Sequence, residues 1–408
     1  MPQSNRISPF RSWLIVASLF IVAMLNYLDR TMITTMRSSI VEAIPMTDAK
    51  FGLLTSVFLW VYGLCSPVAG YVADRYNRGY VIIISLFIWS GVTWLTAHAI
   101  SFEQLLATRA LMGISEACYI PAALALIADY HQNETRSLAT GIHQAGIMMG
   151  QSLGFVGGWI AESRTWNHAF SILGLIGVIY AIALIFLLRQ PVKKNTVKPV
   201  SYKKISFING IIILMRNANF LKVLGYWTIA SIVGWLIMGW LPTFYKERFN
   251  LSQTNAGIYA TAYLYPASMV GVVFAGWIAD RWSRTQPRAR ILAVVIGLIT
   301  GAPFILLASL SHSLIPAIIF FIIYAFTRAS GDANLMPILC MIGDERYRAT
   351  AYGTLNMFGT IIGGIALFAG GFLRDQQINL SVIYQIAAGL LLCCAAFLYF
   401  IKPDATFK

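Results

Sequence analysis

The chain has 408 residues, of which 58% are A, V, I, L, M, F, W, Y or C and only 11% are charged, with a formal net charge of +14. Soluble domains carry roughly 25% charged residues, so water is not the only solvent of this protein and a large soluble domain is excluded. The basic residues fall in alternate loops, as membrane topology requires, rather than on one face, which sets nucleic-acid binding aside.

Apolar runs between polar breaks predict membrane helices near 12–37, 51–73, 80–99, 103–129, 136–160 and 169–189. The first run, RSWLIVASLFIVAML, mimics a secretory signal, but no small-x-small cleavage pattern follows it and it reads as a retained helix. Next comes a stretch with Lys193, Lys194, Lys198, Lys203, Lys204 and Arg216 and no acidic residue, read as a basic cytoplasmic linker over 190–219. Its 210–214 portion is expected to lie along the interface as a short amphipathic piece. A second set of helices is predicted near 220–246, 256–279, 289–309, 313–341, 347–372 and 381–401. At about 20 apolar residues per span, a dozen spans fill the chain.

The expected fold class is therefore an all-α membrane protein, with an N-terminal six-helix bundle over 1–189 and a C-terminal one over 220–408. An even number of helices on each side of the linker puts both termini in the cytoplasm, as expected in a cell inner membrane. Arg75, Arg78, Arg136, Arg281, Arg284, Arg288, Arg290, Arg346 and Arg348 fall on that same side. Two internal repeats make the bundles pseudo-symmetric. GYVADRYNR from Gly70 and GWIADRWSR from Gly276 share G-x-x-x-D-R-x-x-R at a spacing of 206 residues (276 minus 70). RSLATG from Arg136 and RATAYG from Arg348 repeat at 212 residues (348 minus 136).

Ionisable side chains inside spans cost about 2.5–3.5 kcal/mol each. They are Asp29 and Arg30 in NYLDR, Arg109 and Glu116 in RALMGISEA, and Arg328 and Asp332 in RASGDAN. Asp29 and Arg30 point about 100° apart around a helix, and Arg109 and Glu116 are separated by about 10 Å of rise. Both pairs must therefore find partners on neighbouring helices. Either they are buried ion pairs that fix helix contacts, or they line a pathway for substrate or protons. Arg328 and Asp332, four apart, can pair along their own helix and are the best candidates for a structural role. A buried carboxylate can load and release a proton, and an arginine offers a charged fork for a carboxylate or phosphate. Together they read as proton-coupled anion transport.

His143, Gln144, Gln151, Asn334 and Asn356 are either polar residues of a packing seam or partners for a hydroxylated solute. Tyr27 is a candidate platform for a sugar, although an aromatic in a membrane helix more often packs or sits at the interface. Gly146, Gly150, Gly154, Gly157 and Gly158, and later Gly353, Gly359, Gly363, Gly364, Gly370 and Gly371, predict close helix seams. Cys65, Cys118, Cys340, Cys393 and Cys394 show no metal-ligand spacing and read as small buried hydrophobes. No phosphate loop, HExxH or nucleophile elbow is present, which argues against an enzyme.

These residues together resemble the major facilitator superfamily over nearly the whole chain. Its loop signature is matched at Gly70, Asp74, Arg75 and Arg78 and again at Gly276, Asp280, Arg281 and Arg284, with departures at Asn77, Gly79 and Ser283. The resemblance implies two bundles around a central cavity, alternating access, and a conformational latch at those loop residues. NYLDR and RALMGISEA also resemble the anion:cation symporter family. That likeness implies symport of a small organic anion, such as a hexuronate or aldonate sugar acid, with protons as the coupling ion and no cofactor. Asp29 and Glu116 would be proton sites, and Arg30 and Arg109 would hold the substrate carboxylate. Tyr27, Gln144, Asn356, Arg328 and Asp332 would complete the substrate site, in a monomer surrounded by membrane lipids. Spinster-like lipid transporters share NYxDR and the arginine-to-glutamate spacing, and GISEACYIPAALALIADY resembles them too. A lysolipid or other amphiphile is then the alternative substrate. A transporter-shaped receptor or scaffold is the third possibility, and the intramembrane charges speak against it.

Overall fold

A computed structural model describes residues 9–131, 135–188, 207–342 and 348–401. Among these residues seventeen helices follow one another. The first nine are α1 (Pro9–Thr35), α2 (Arg37–Ala43), α3 (Asp48–Arg75), α4 (Arg78–Thr96), α5 (Phe102–Ala117), α6 (Tyr119–Tyr130), α7 (Arg136–Ser152), α8 (Phe155–Ser163) and α9 (Trp166–Leu188). The remainder are α10 (Phe207–Arg216), α11 (Ala218–Phe249), α12 (Gln253–Thr261), α13 (Leu264–Ser283), α14 (Ala289–Leu310), α15 (Leu314–Ile342), α16 (Arg348–Asp375) and α17 (Leu380–Tyr399). Most of the basic linker, with Lys193, Lys194, Lys198, Lys203 and Lys204, lies outside the described residues, as does Arg346. The amphipathic piece inside it is part of α10.

Helix starts follow local chemistry. Ser101 caps α5 by accepting the Gln104 N–H at 3.3 Å, and the Gln104 side chain accepts the Ile100 N–H at 2.8 Å. Asn217, Ser252 and Asn379 cap α11, α12 and α17 in the same way. Asn77, a departure from the loop signature, is the cap of α4, accepting the Gly79 N–H at 3.0 Å and the Tyr80 N–H at 3.4 Å. Asn77→Ala is expected to lower stability by about 1 kcal/mol, seen as an earlier melting transition in detergent. Gly79 departs for a different reason: a side chain there would meet the Leu188 carbonyl oxygen at 3.1 Å.

Among the described residues, eleven helices are long and apolar enough to cross a membrane, counting α5 with α6 and α12 with α13 as single spans. The predicted helix near 136–160 is the one missing, because it is broken at Leu153 and Gly154 into α7 and α8. At the break the chain tightens into a Gly154 N–H to Gln151 carbonyl bond of 3.1 Å. The Thr35 hydroxyl of α1 donates to the Gly154 carbonyl at 2.8 Å, so that carbonyl is satisfied from a neighbouring helix. Breaks also separate α5 from α6, where Pro121 leaves the Ala117 carbonyl without its usual donor, and α12 from α13, where Pro266 does the same to Ala262.

The chain divides into two compact units, residues 1–46 with 60–195, and residues 47–59 with 196–408. Thus α3 contributes its first turns to the second unit and the rest to the first. In the first unit, α1 packs tightly on α7 and α8: a side chain at Gly146 would meet the Phe20 carbonyl oxygen at 2.5 Å. One at Gly150 would meet the Leu28 nitrogen at 3.0 Å. In the second unit, glycines of α16 receive tryptophans of α11, Gly359 against Trp227 and Gly363 against Trp235. The second unit also holds a charge cluster. Arg374 donates to Glu247 at 2.8 and 2.9 Å and to Asp48 at 2.8 Å, while Asp375 accepts the Asp48 and Ala49 N–H groups at 2.8 and 3.0 Å. Asp375 thereby acts as a remote cap on the start of α3.

Candidate functional site

In the first unit, α1 and α5 bring four charges into the interior. Asp29, Arg109 and Glu116 are 4%, 2% and 0% exposed. Arg30 Nε donates to Glu116 Oε2 at 2.6 Å, forming an ion pair with side chains 6% and 0% exposed. The Arg30 guanidinium also lies over the rings of Tyr27 and Tyr62, at 4.6 and 4.5 Å from their centroids. Asp29 accepts a hydrogen bond from the Thr93 hydroxyl of α4. The charges of Asp29 and Glu116 are the electrostatic neighbours of Arg109. Arg109 itself donates to the Met112 sulfur at 3.3 Å and faces the Phe170 ring at 5.1 Å.

With both acids ionised, two negative and two positive charges cancel in this cluster, which is what allows it to persist in a low dielectric. Its hydrogen bonding is incomplete. Asp29 Oδ1, Glu116 Oε1, and Arg109 Nε and Nη2 have no partner among the described residues. The same holds for both amide atoms of Asn26, which is 0% exposed and lies three residues before Asp29, on the same side of α1. Sequence reasoning missed Asn26, although its position in NYLDR, one turn before two charges, was the available signal.

The second unit places Arg328 and Asp332 together, Arg328 Nη2 donating to the Asp332 carboxylate at 2.9 and 3.1 Å. The pair is about one-third exposed, with side chains 32% and 36% accessible. Tyr324 and Tyr226 are its other electrostatic neighbours, and Gly234 on α11 leaves the guanidinium uncrowded. Asn334 is buried and donates to the Ser330 carbonyl at 3.0 Å. Gln144 in the first unit and Asn356 in the second are both exposed.

At the loop signatures, Arg78 pairs with Asp129 and donates to the Ala125 carbonyl at 2.9 Å, while Arg75 bonds the Tyr71 hydroxyl. In the second copy, Asp280 pairs with Arg290 at 2.8 Å, and Arg281 and Arg284 are exposed. A side-chain carbon added at Gly70 or Gly276 would meet nothing within 4 Å, so contact does not demand glycine at either position. The Asp74 side chain lies outside what the structure describes. No group of three or more His, Cys, Asp or Glu that could hold a metal occurs among the described residues.

The sequence profile of the Major Facilitator Superfamily matches residues 19–366. Human protein spinster homolog 1 is 31% identical over 369 residues, covering 85% of this chain and 69% of its own. An MFS-type efflux pump of Mycolicibacterium smegmatis is 27% identical over 400 residues, covering 96% of this chain and 91% of its own. Among solved structures, a bacterial homolog of the human lysosomal transporter Spinster, in an inward-facing and unoccupied conformation, superposes with a TM-score of 0.77. It has 22% identity and covers 96% of this chain and 95% of its own. These relatives favour the spinster-like side of the resemblance over the anion:cation symporters, and they lend the sugar-acid reading no support.

Proposed function

We propose that this chain, which belongs to the major facilitator superfamily of membrane transporters, carries an amphiphile with an anionic head group, such as a lysolipid, coupled to protons. The observation that carries the coupling is the buried Arg30–Glu116 pair, with Asp29 and Arg109 beside it. A proton on Glu116 cancels the charge that holds Arg30, and the cluster, neutral before, becomes positive. Arg30 and Arg109 then gain most by engaging an anion. Proton loading and head-group binding thus favour one another within one cluster, which is the thermodynamic requirement for symport.

The amphiphile is supported by the spinster relatives. Arg328 and Asp332, paired and partly exposed, are the second polar feature available to a head group. We place the protein in a cell membrane with both termini cytoplasmic, as the loop charges require.

Thermal stabilisation tests the substrate class. A ligand that binds only the folded protein stabilises it by RT ln(1 + [L]/Kd), about 2.7 kcal/mol at a hundred times Kd. Lysophosphatidylglycerols of increasing chain length are expected to raise the melting temperature progressively, since each buried methylene adds about 0.8 kcal/mol. Stabilisation by galacturonate or gluconate, with indifference to chain length, would restore the sugar-acid substrate.

A further inference from the structure

Glu116 stands in the last turn of α5, two residues before the break at Cys118, and so on the least regular part of its span. At that break the Cys118 N–H bonds back to the Glu116 carbonyl, and Pro121 withholds a donor from the Ala117 carbonyl. A carboxylate on an interrupted helix keeps its place only if something outside the helix holds the interruption. Three neighbouring helices do so here. The Ser85 hydroxyl of α4 donates to the Ser115 carbonyl. Tyr119, the first residue after the break and wholly buried, donates its hydroxyl to the Leu19 carbonyl of α1 at 2.9 Å. The same hydroxyl lies 2.9 Å from Nε2 of His143 on α7, and the Tyr119 ring stands edge-on to Trp89 at 5.5 Å.

The donor order follows from valence. A carbonyl only accepts, so the single phenolic proton goes to Leu19, and His143 must donate its Nε2–H to the phenolic oxygen. That assigns the Nε2–H tautomer and makes His143 a directional bolt between α7 and the break. We propose that Tyr119 and His143 are positioning residues for Glu116: through their hydrogen bonds to α1 and α7 they fix the helix interruption that aims its carboxylate at Arg30. This rests on the role given to Glu116 above, but its test is independent of substrate and of proton movement.

The test uses the full chain in detergent micelles with Cys118, which sits in the break, as its one thiol. Cys65, Cys340, Cys393 and Cys394 are replaced by alanine, and the rate of alkylation by N-ethylmaleimide is measured. A second chain with Cys65 as its one thiol reports general loosening. Tyr119→Phe and His143→Leu are expected to raise Cys118 alkylation by about threefold to tenfold, the scale of one buried hydrogen bond, without changing Cys65. His143→Gln keeps an amide N–H donor and is expected to stay close to the parent. Because the interruption that Tyr119 holds also aims Glu116 at Arg30, part of the rise reflects the loosened ion pair, and Tyr119→Phe should raise Cys118 alkylation by a smaller factor in a Glu116→Gln background than in the parent. An equal rise at Cys65, effects that multiply with Glu116→Gln, or His143→Gln behaving like His143→Leu would each overturn the proposal. If Tyr119→Phe does not fold, the two His143 variants carry the same test. Loss of the coupling role is read separately, from uptake by Glu116→Gln, so the two failures are distinguishable.

Discussion

Glu116→Leu is expected to lose about 3–5 kcal/mol of stability, the cost of leaving a buried charge without its partner. Its partner is Arg30, 2.6 Å away and 6% exposed, which cannot turn to water without moving α1. The expected remedy is a second substitution. Arg30→Met in the Glu116→Leu background removes the orphaned charge and fills the space with apolar atoms, so most of the loss should be regained. Melting in detergent measures both steps. The two proteins should nevertheless share one defect, since neither retains the Glu116 carboxylate to load a proton. A single variant as stable as the parent would mean that the pair is solvated and contributes nothing.

Gly150→Val is expected to be damaging for steric reasons alone. A side-chain carbon at Gly150 would lie 2.9 Å from the Met24 carbonyl carbon and 3.0 Å from the Leu28 nitrogen, both backbone atoms of α1. Backbone cannot rotate away as a side chain can, so the two helices must part along the seam. Overpacking of this kind costs typically 1–3 kcal/mol, and here it also separates Gly146 from Phe20 and Gly154 from Thr31. Loss of monodisperse protein on size exclusion is the expected result. Gly141→Ala on the same helix is the control, because nothing lies within 4 Å of a side-chain carbon there. That change should be neutral or stabilising by up to about 1 kcal/mol.

How much of this was legible in the sequence depended on whether a feature is local. Asn77, Ser101, Asn217 and Asn379 sit where a polar residue precedes an apolar run, and the helices begin there. The intramembrane charges were legible because apolar surroundings make each one conspicuous, and Arg328 with Asp332 could be paired from their spacing alone. Arg30 with Glu116 could not, because 86 residues separate them and their meeting depends on how α1 and α5 pack. The splitting of the span near 136–160 was equally hidden. The Gly154 carbonyl at the break accepts from the Thr35 hydroxyl, which belongs to another helix. Arg374, Glu247, Asp48 and Asp375 stand near the ends of three helices, and their convergence follows from the first turns of α3 joining the second unit. The branch of the superfamily was not legible for a simpler reason. NYLDR and the Arg109–Glu116 spacing are common to both branches, so they could not separate sugar acids from amphiphiles.

Coupling of protons to transport is the central claim, and uptake into proteoliposomes tests it most directly. Vesicles containing the full chain are loaded at one pH and diluted into another, and accumulation of a radiolabelled lysophosphatidylglycerol is followed against its equilibrium level. Parent protein is expected to concentrate the lipid while the pH gradient lasts and to release it when an ionophore collapses the gradient. Glu116→Gln should equilibrate or exchange the lipid without concentrating it. Accumulation by Glu116→Gln equal to that of the parent, or parent accumulation indifferent to the ionophore, would contradict the account.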